Sequence, residues 1–471
     1  MEREFDVVVI GAGPAGEIAA GRLAREGKRV AIVERHLVGG ECSFYACMPS
    51  KALLRPQEIL SEVARVPGAA QAVTGNLDVS AALERRDQII NHLNDANQLP
   101  WLQERGIELV RGSAQLDGER RIRVGDDLLT ARDAVVIAVG SGPLLPPIPG
   151  LAEVGAWSNR QITTTREVPR RLVVLGGGVV GVEMAQAWAS LGSQVTVVEA
   201  AAGLLPREED FVGEQIRDAL EQAVVTVFTG RRAVSASRDG SQITIALDDG
   251  AQVTGDRLLV AIGRTPLTDS LGLETVGLPP GATIEVDDQM RVVGAPGLYA
   301  IGDVNGRSLL THSGKYQARI AADHILGRSA RAWADVSAAP RVVFTNPQVA
   351  TVGQTFSAAL AADIDAIAVD LPTAGTAGAS FHGRDGAGTT RFVVDRRREL
   401  LIGATFVGPE VADFLQAATI AIVGEVPLTR LAHAIAPFPT RSELWLKFIE
   451  AYENQGGTSL HADEVERAVA A

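Results

Sequence analysis

Cysteine is nearly absent from this chain: Cys42 and Cys47 are the two thiols in 471 residues. That excludes the disulfide framework of a small secreted protein, and a close pair in an intracellular chain points to redox chemistry or a metal. Positive charge is also short, with 44 Lys and Arg against 57 Asp and Glu. The resulting net charge of −13 argues against nucleic acid or an anionic membrane as partner. Apolar runs of about 18 residues are missing, so no membrane span is expected. The start, MEREFDVVVIGAG, is charged and then strand-like, which is unlike a secretory signal, and a cytoplasmic location is expected. What remains is an ordinary globular composition, 46% hydrophobic and 21% charged, long enough for about three domains.

Glycine is plentiful where it matters. A strand reading Phe5 to Ile10 runs into Gly11-Ala12-Gly13-Pro14-Ala15-Gly16, then a helical stretch and a second strand ending in Glu34. This is the dinucleotide fingerprint: Gly11 for the tight turn, Gly13 for backbone approach to a pyrophosphate, Gly16 for helix-on-strand packing. The helix start offers free N–H groups to the phosphates, and Glu34 offers a carboxylate to ribose hydroxyls. The pattern recurs at Gly176-Gly177-Gly178-Val179-Val180-Gly181, followed by a strand ending in Glu199 at the same spacing. One such motif is weak evidence; two with matched spacing and terminal acids predict two bound dinucleotides. Each repeat has a later apolar strand ending in glycine, at Gly140 and Gly263, and a third stretch ends in Gly302-Asp303. Asp303 thus falls at a strand end, where open α/β sheets bind their ligands.

Both cysteines lie in GGECSFYACMPSK, inside the first repeat. Two thiols without a second pair or a close histidine make a poor zinc site, and no metal is expected. Residues five apart on an ideal helix point about 140° away from each other, so a bond between them requires a distorted first turn. Gly39 and Gly40 permit a sharp entry, and a thiolate at a helix N-terminus has a depressed pKa. Two inert buried thiols remain the plain alternative.

The order GAGPAG, GGxCxxxxCxPSK, GGGxxGxE, a GD-containing strand and a C-terminal PTxSE resembles the class I pyridine nucleotide-disulfide oxidoreductases. The group includes dihydrolipoamide dehydrogenase, glutathione reductase and mercuric reductase, and the likeness spans residues 4 to 455. It implies an α/β chain with two Rossmann-like domains and a C-terminal α+β dimerisation domain. The FAD-binding part would be 1–148 with 270–336, the NAD(P) part 149–269, and the interface part 337–471. It also implies a homodimer whose active site is shared across the interface, acting on a small molecule.

By the same resemblance, Cys47 would sit against the flavin and Cys42 would face substrate. Lys51 would lie by the flavin and pair with Glu183 where the nicotinamide stacks. FAD would be held by Gly11, Gly13, Pro14, Ala15, Gly16 and Glu34, by Gly40, Glu41 and Lys51, and by Ala114, Gly140, Ser141, Gly302, Asp303 and His312. The nicotinamide cofactor would be held by Gly176, Gly178, Val179, Val180, Gly181, Glu183, Glu199 and Gly263. Glu199 favours NADH over NADPH, because a carboxylate binds a 2′-hydroxyl and repels a 2′-phosphate, and Ala200 and Ala201 supply no arginine.

The C-terminal motif departs from the family, as do Phe44 and Ala46 in the cysteine loop, where asparagine and glycine are common. The family's disulfide reductases end in His-Pro-Thr-x-Ser-Glu, the histidine being the acid/base for the substrate thiol and the glutamate orienting it. Here the stretch is Phe438-Pro439-Thr440-Arg441-Ser442-Glu443. Phenylalanine transfers no proton, and such a loss costs about 10²–10⁴-fold. His433 and Tyr45 are the substitutes in sight, and Phe44, Ala46 and Phe438 suggest an apolar substrate mouth. A 2-ketopropyl-coenzyme M carboxylase branch shares the phenylalanine but has histidine where this chain keeps Glu443. Mercuric reductases lack the histidine too but need extra C-terminal cysteines. The leading expectation is electron flow from NADH through FAD and the Cys42–Cys47 pair to a small sulfur-containing or electrophilic substrate. A quinone reductase or NADH oxidase with dispensable cysteines, a C–S cleaving or carboxylating enzyme, and a redox sensor stay open.

Overall fold

A computed structural model describes residues 1–383, 386 and 388–457. Of the tail after Tyr452, for which a capping helix and an unstructured end are equally compatible with the sequence, residues 458–471 lie outside the described part. The helix Leu444–Asn454 ends just before them.

Short β-branched runs form the central strands. VVVI at the end of strand Glu2–Ile10 is fully buried, as expected for a parallel strand covered on both faces. Strands Glu108–Arg111, Val30–Glu34, Glu2–Ile10 and Asp127–Ile137 lie side by side in parallel, and Leu298–Ala300 joins the last of them from far along the chain. A second parallel sheet is built from Thr226–Thr229, Gln194–Glu199, Arg171–Leu175 and Arg257–Val260. The chain passes between the two sheets at a small antiparallel pair, Ser141–Pro143 with Arg264–Pro266. The C-terminal part is a five-stranded antiparallel sheet covered by helices Leu415–Val423 and Leu444–Asn454. Phe392 and Phe448 stack there at 4.2 Å between ring centres, sealing sheet to helix. No helix among the described residues is long and apolar enough to cross a membrane.

The two glycine turns repeat each other closely. Gly11 has φ +104°, and a Cβ there would stand 2.4 Å from the Ala138 carbonyl oxygen. Gly176 has φ +110°, and its Cβ would stand 2.4 Å from the Ala261 carbonyl oxygen. Gly16 and Gly181 each lie so close to the first glycine of their turn that a Cβ would come within 1.9 Å of its oxygen. The terminal acids repeat as well. Glu34 accepts from the N–H groups of Ala12 and His36, at 2.8 and 2.7 Å. Glu199 accepts from Gly177 and Ala201, at 2.5 and 2.6 Å.

These turns separate packing from binding. Gly181→Ala is expected to cost on the order of 3 kcal/mol, by overpacking helix on turn. Gly178→Ala, whose Cβ meets nothing within 4 Å, is expected to cost less than about 1 kcal/mol. Thermal melts of the two variants check the difference.

Candidate active site

The cysteine stretch folds as two helices rather than one distorted turn. Gly39 and Gly40, at φ +109° and +61°, open the short helix Gly40–Phe44, which carries Cys42. Tyr45 and Ala46 then break the helical path, and Cys47 starts the helix Cys47–Arg65. The break takes the place of the expected strain: each sulfur sits on its own helix. Pro49 is tolerated in the first turn, where its missing N–H has no intrahelical partner to lose. The Ser50 hydroxyl donates to the Ala46 carbonyl at 2.6 Å and fixes the start.

No disulfide joins Cys42 and Cys47. Their environments split them. The Cys42 thiol beside it, the Thr311 hydroxyl and the Lys51 charge together hold Cys47 down to about 6, against the pull of burial. Cys42 is pushed strongly upward, first by hydrogen bonding to Cys47 and then by burial. These surroundings favour charge on Cys47 and the proton on Cys42. Cys47 Sγ lies 3.4 Å from Thr311 Oγ1.

Lys51, one turn into the same helix, places Nζ 2.8 and 3.1 Å from the two carboxylate oxygens of Glu183. Glu183 is buried in helix Val179–Ser190 and also accepts from the Phe344 N–H at 2.9 Å. The ammonium sits over the Phe344 ring, 4.8 Å from its centre.

These groups line one continuous cleft. Its walls include Gly11, Gly13, Pro14, Ala15 and Glu34 at one end and Cys42, Cys47, Lys51 and Glu183 at the other. Val179 and Val180 line it too, as do Gly40, Glu41, Gly140, Ser141, Gly302 and Asp303. The residues fit a dinucleotide such as FAD. Gly13 caps helix Pro14–Arg25 with open space where its Cβ would be, leaving N–H groups bare toward the cleft. A Cβ on Gly40 would stand 2.9 Å from Gly13 Cα, so the two segments meet as naked backbone. Asp303 accepts from the Ser141 hydroxyl at 2.5 Å, and Arg264 donates to Ser141 at 2.7 Å.

Several of the named positions lie outside this cleft. Gly16 is packed under the first turn, while Gly176, Gly178, Gly181, Glu199 and Gly263 surround the second turn, outside this cleft. Ala114, on strand Ala114–Leu116, packs against the core and does not line the cleft. His312 is the second residue of helix Thr311–Ile325 and points its side chain to solvent; Thr311 lines the cleft in its place. The carboxylate of Glu41 is engaged by Asn159 at 2.7 Å and Arg160 at 2.6 Å, and the Arg160 guanidinium covers the Tyr45 ring. Phe44 is 3% exposed and packs against Gly39, so it contributes nothing to a substrate mouth. Sequence reading missed Thr311, Asn159, Arg160 and Arg264, none of which belongs to a motif of its own.

The C-terminal motif lies outside this chain's cleft. Phe438 is 77% exposed and Ile435 94%, an apolar strip on the surface. His433 is exposed as well and does not reach the cleft. Glu443, with no histidine to orient, accepts from the Ala377 N–H at 2.8 Å and lies 3.8 Å from Lys447.

Comparison with known proteins agrees with this geometry. The model of the pyridine nucleotide-disulphide oxidoreductase family matches residues 5–322, and that of its dimerisation domain matches 339–448. Dihydrolipoyl dehydrogenase of Halobacterium salinarum is 31% identical over 469 residues, covering 97% of each chain. Mercuric reductase of Staphylococcus aureus is 30% identical, covering 93% of this chain and 81% of its own. Among solved structures, the Cu(II) complex of the HOCl-induced flavoprotein disulfide reductase RclA from Escherichia coli superposes with TM-score 0.84 at 27% identity. It covers 95% of this chain and 99% of its own. Two fingerprint turns, a split thiol pair in the cleft of the first and a matching dimerisation domain lead to one family: the chain belongs to the pyridine nucleotide-disulphide oxidoreductases, FAD-dependent enzymes that draw electrons from a pyridine nucleotide.

Proposed function

We propose that the chain forms a homodimeric NADH-dependent reductase that passes electrons through the Cys42–Cys47 pair to a small electrophilic acceptor. The carrying observation is the placement of the Cys47 sulfur at a helix start, 3.4 Å from the Thr311 hydroxyl, in the same cleft as the Gly11 turn, surroundings that lower its pKa. FAD, when bound, supplies two-electron transfer between nicotinamide and disulfide. This chain's own residues do the rest. The Gly13 and Gly40 backbones bind phosphate, and the Lys51–Glu183 pair holds one fixed charge beside the thiolate. Cys42 holds the proton at rest and meets the acceptor; as its sulfur attacks, that proton passes to the leaving sulfur. The Glu199 carboxylate, fixed by two backbone N–H groups, supports NADH, since a 2′-phosphate would face an immobile negative charge.

Phe438 narrows the acceptor. A partner-supplied phenylalanine brings no proton, so a disulfide whose leaving thiol has a low pKa is served best. The exposed strip of Ile435 and Phe438 supports a partner covering it. A second class of acceptor is a reducible soft metal ion, which needs no proton; the mercuric reductase relative and the Cu(II)-bound RclA structure favour including it. With two cysteines in all, the chain has no further thiols to deliver such an ion.

Five outcomes are expected. After anaerobic reduction by NADH, a long-wavelength thiolate–flavin band should persist above about pH 6 and fade as pH falls through it, because only the ionised Cys47 supports it. Cys47→Ser should lack the band; a wild type without it would sink the relay. In an anaerobic acceptor panel of activated and ordinary disulfides, Cu(II), Hg(II) and quinones, Cys42→Ser should lose turnover with disulfides. Quinone turnover surviving that change as the main activity would point to chemistry at the flavin alone. Phe438→His should raise turnover of lipoamide by about 10²-fold or more, and kcat/KM should favour NADH over NADPH.

A further inference from the structure

Two consecutive acids, Glu208 and Glu209, tie the loop after strand Gln194–Glu199 to the C-terminal sheet. The loop folds back on the second glycine turn. Leu205 donates its N–H to the Gly177 carbonyl at 3.0 Å, and Glu208 donates to the Leu205 carbonyl at 3.0 Å. Glu209 is buried and accepts from the Phe356 N–H at 2.8 Å and from Arg391 at 2.9 Å. Arg391 spends Nε, Nη1 and Nη2 on Glu209 and Asp370, and neither Glu209 nor Arg391 lines the cleft. That pair docks loop on sheet.

Glu208 and Arg341 are placed differently, since both line the cleft. Arg341 Nε and Nη2 donate to the two Glu208 oxygens at 3.0 and 3.1 Å, a planar fork on a carboxylate. Thr351 stands opposite Arg341 on the neighbouring strand, and its hydroxyl donates to the same carboxylate at 2.9 Å. The guanidinium plane is therefore fixed, and Nη1 is left without a hydrogen-bond partner among the described residues. That atom is not buried. Three residues on, the Phe344 N–H holds Glu183. Strand Arg341–Val343 thus walls the cleft between two anchored carboxylates, with Arg341 and Phe344 on the order of 10 Å apart. Helix Val179–Ser190 supplies Val179, Val180, Glu183 and Met184 to the same cleft. With the nicotinamide ring at Lys51 and Glu183, Arg341 stands at the sugar and phosphate end.

We propose that Arg341, held by Glu208, binds the nicotinamide-side sugar–phosphate of the pyridine nucleotide through its unspent Nη1. The assignment rests on a pyridine nucleotide entering this cleft at Glu183, and deepens that reading. Glu208 already meets the guanidinium charge, so the contact is a directed hydrogen bond to an oxygen. Glu208 is the positioning residue: it sets the plane from which Arg341 donates. The adenosine half, at the Gly176 turn and Glu199, lies outside the cleft and depends on neither.

The test uses the FAD holoenzyme and needs no acceptor. Anaerobic stopped-flow reduction of the flavin by NADH gives a half-saturating concentration and a limiting rate. Equilibrium titration with NAD⁺ gives a Kd, and competition by nicotinamide mononucleotide and by 5′-AMP reports the two halves separately. Arg341→Met, which keeps the apolar stem, should raise the NADH half-saturation, the NAD⁺ Kd and the mononucleotide inhibition constant by about tenfold. The limiting rate and the inhibition by 5′-AMP should stay close to wild type. Glu208→Gln, which breaks the fork but keeps the guanidinium, should move the same constants in the same direction by less. Arg341→Lys, a cation without a fork, should recover little of the loss. Wild-type constants in Arg341→Met, or both halves weakened alike, would overturn the proposal. If NADPH and not NADH reduces the wild type, the NADH assignment falls and the same comparison with NADPH decides Arg341. A wild-type flavin that neither nucleotide reduces, with NAD⁺ still bound tenfold less tightly by Arg341→Met, would overturn the relay and uphold this contact.

Discussion

The carboxylate of Glu183 is where the three parts of this chain meet. One side takes the ammonium of Lys51, on the helix that carries Cys47, and the other takes the Phe344 N–H, beside the C-terminal sheet. Glu183 itself belongs to the helix that opens the second glycine turn. A buried carboxylate is costly unless its charge is met, so its partners are obliged to stay where they are. Through this one group the first turn, the second turn and the C-terminal sheet acquire a fixed relation, and the thiolate gains a fixed cation nearby. The cleft's working geometry depends on it.

Much of the fold was legible because glycine constraints are local. Gly11 and Gly176 need left-handed backbone and room for a neighbouring carbonyl, and those needs are written in a few adjacent residues. The duplicate hydrogen bonds of Glu34 and Glu199 follow from matched spacing alone. The site was less legible where contacts join distant segments. Thr311 reaches Cys47 across 264 residues, and Arg160 reaches Glu41 across 119. His312 looked like the functional residue of its stretch because histidine is chemically conspicuous, whereas helix phase gives the cleft to the threonine before it. Phe44 misled for a similar reason: an aromatic beside a reactive cysteine suggests a substrate wall, but the break at Tyr45 turns it into the core.

The thiol pair and the C-terminal motif pose opposite demands. The cleft favours charge on one sulfur and the proton on the other, first through the hydrogen bond between the two thiols and then through burial, the Thr311 hydroxyl and the Lys51 ammonium. Position 438, by contrast, offers an apolar ring on the surface of its own chain. A site that supplies electrons readily and protons poorly suits acceptors that are already activated. The proton held by Cys42 is then the one that the chemistry must use sparingly.

The central claim is that electrons from NADH come to rest on these two sulfurs. Differential alkylation tests it most directly: the air-oxidised holoenzyme, before and after anaerobic addition of NADH, is unfolded in the presence of a thiol reagent, and labels are located by mass spectrometry. The account predicts that Cys42 and Cys47 are both unlabelled before NADH and both labelled after it. Equal labelling of the pair before and after NADH, with the cofactor nonetheless reduced, would contradict it.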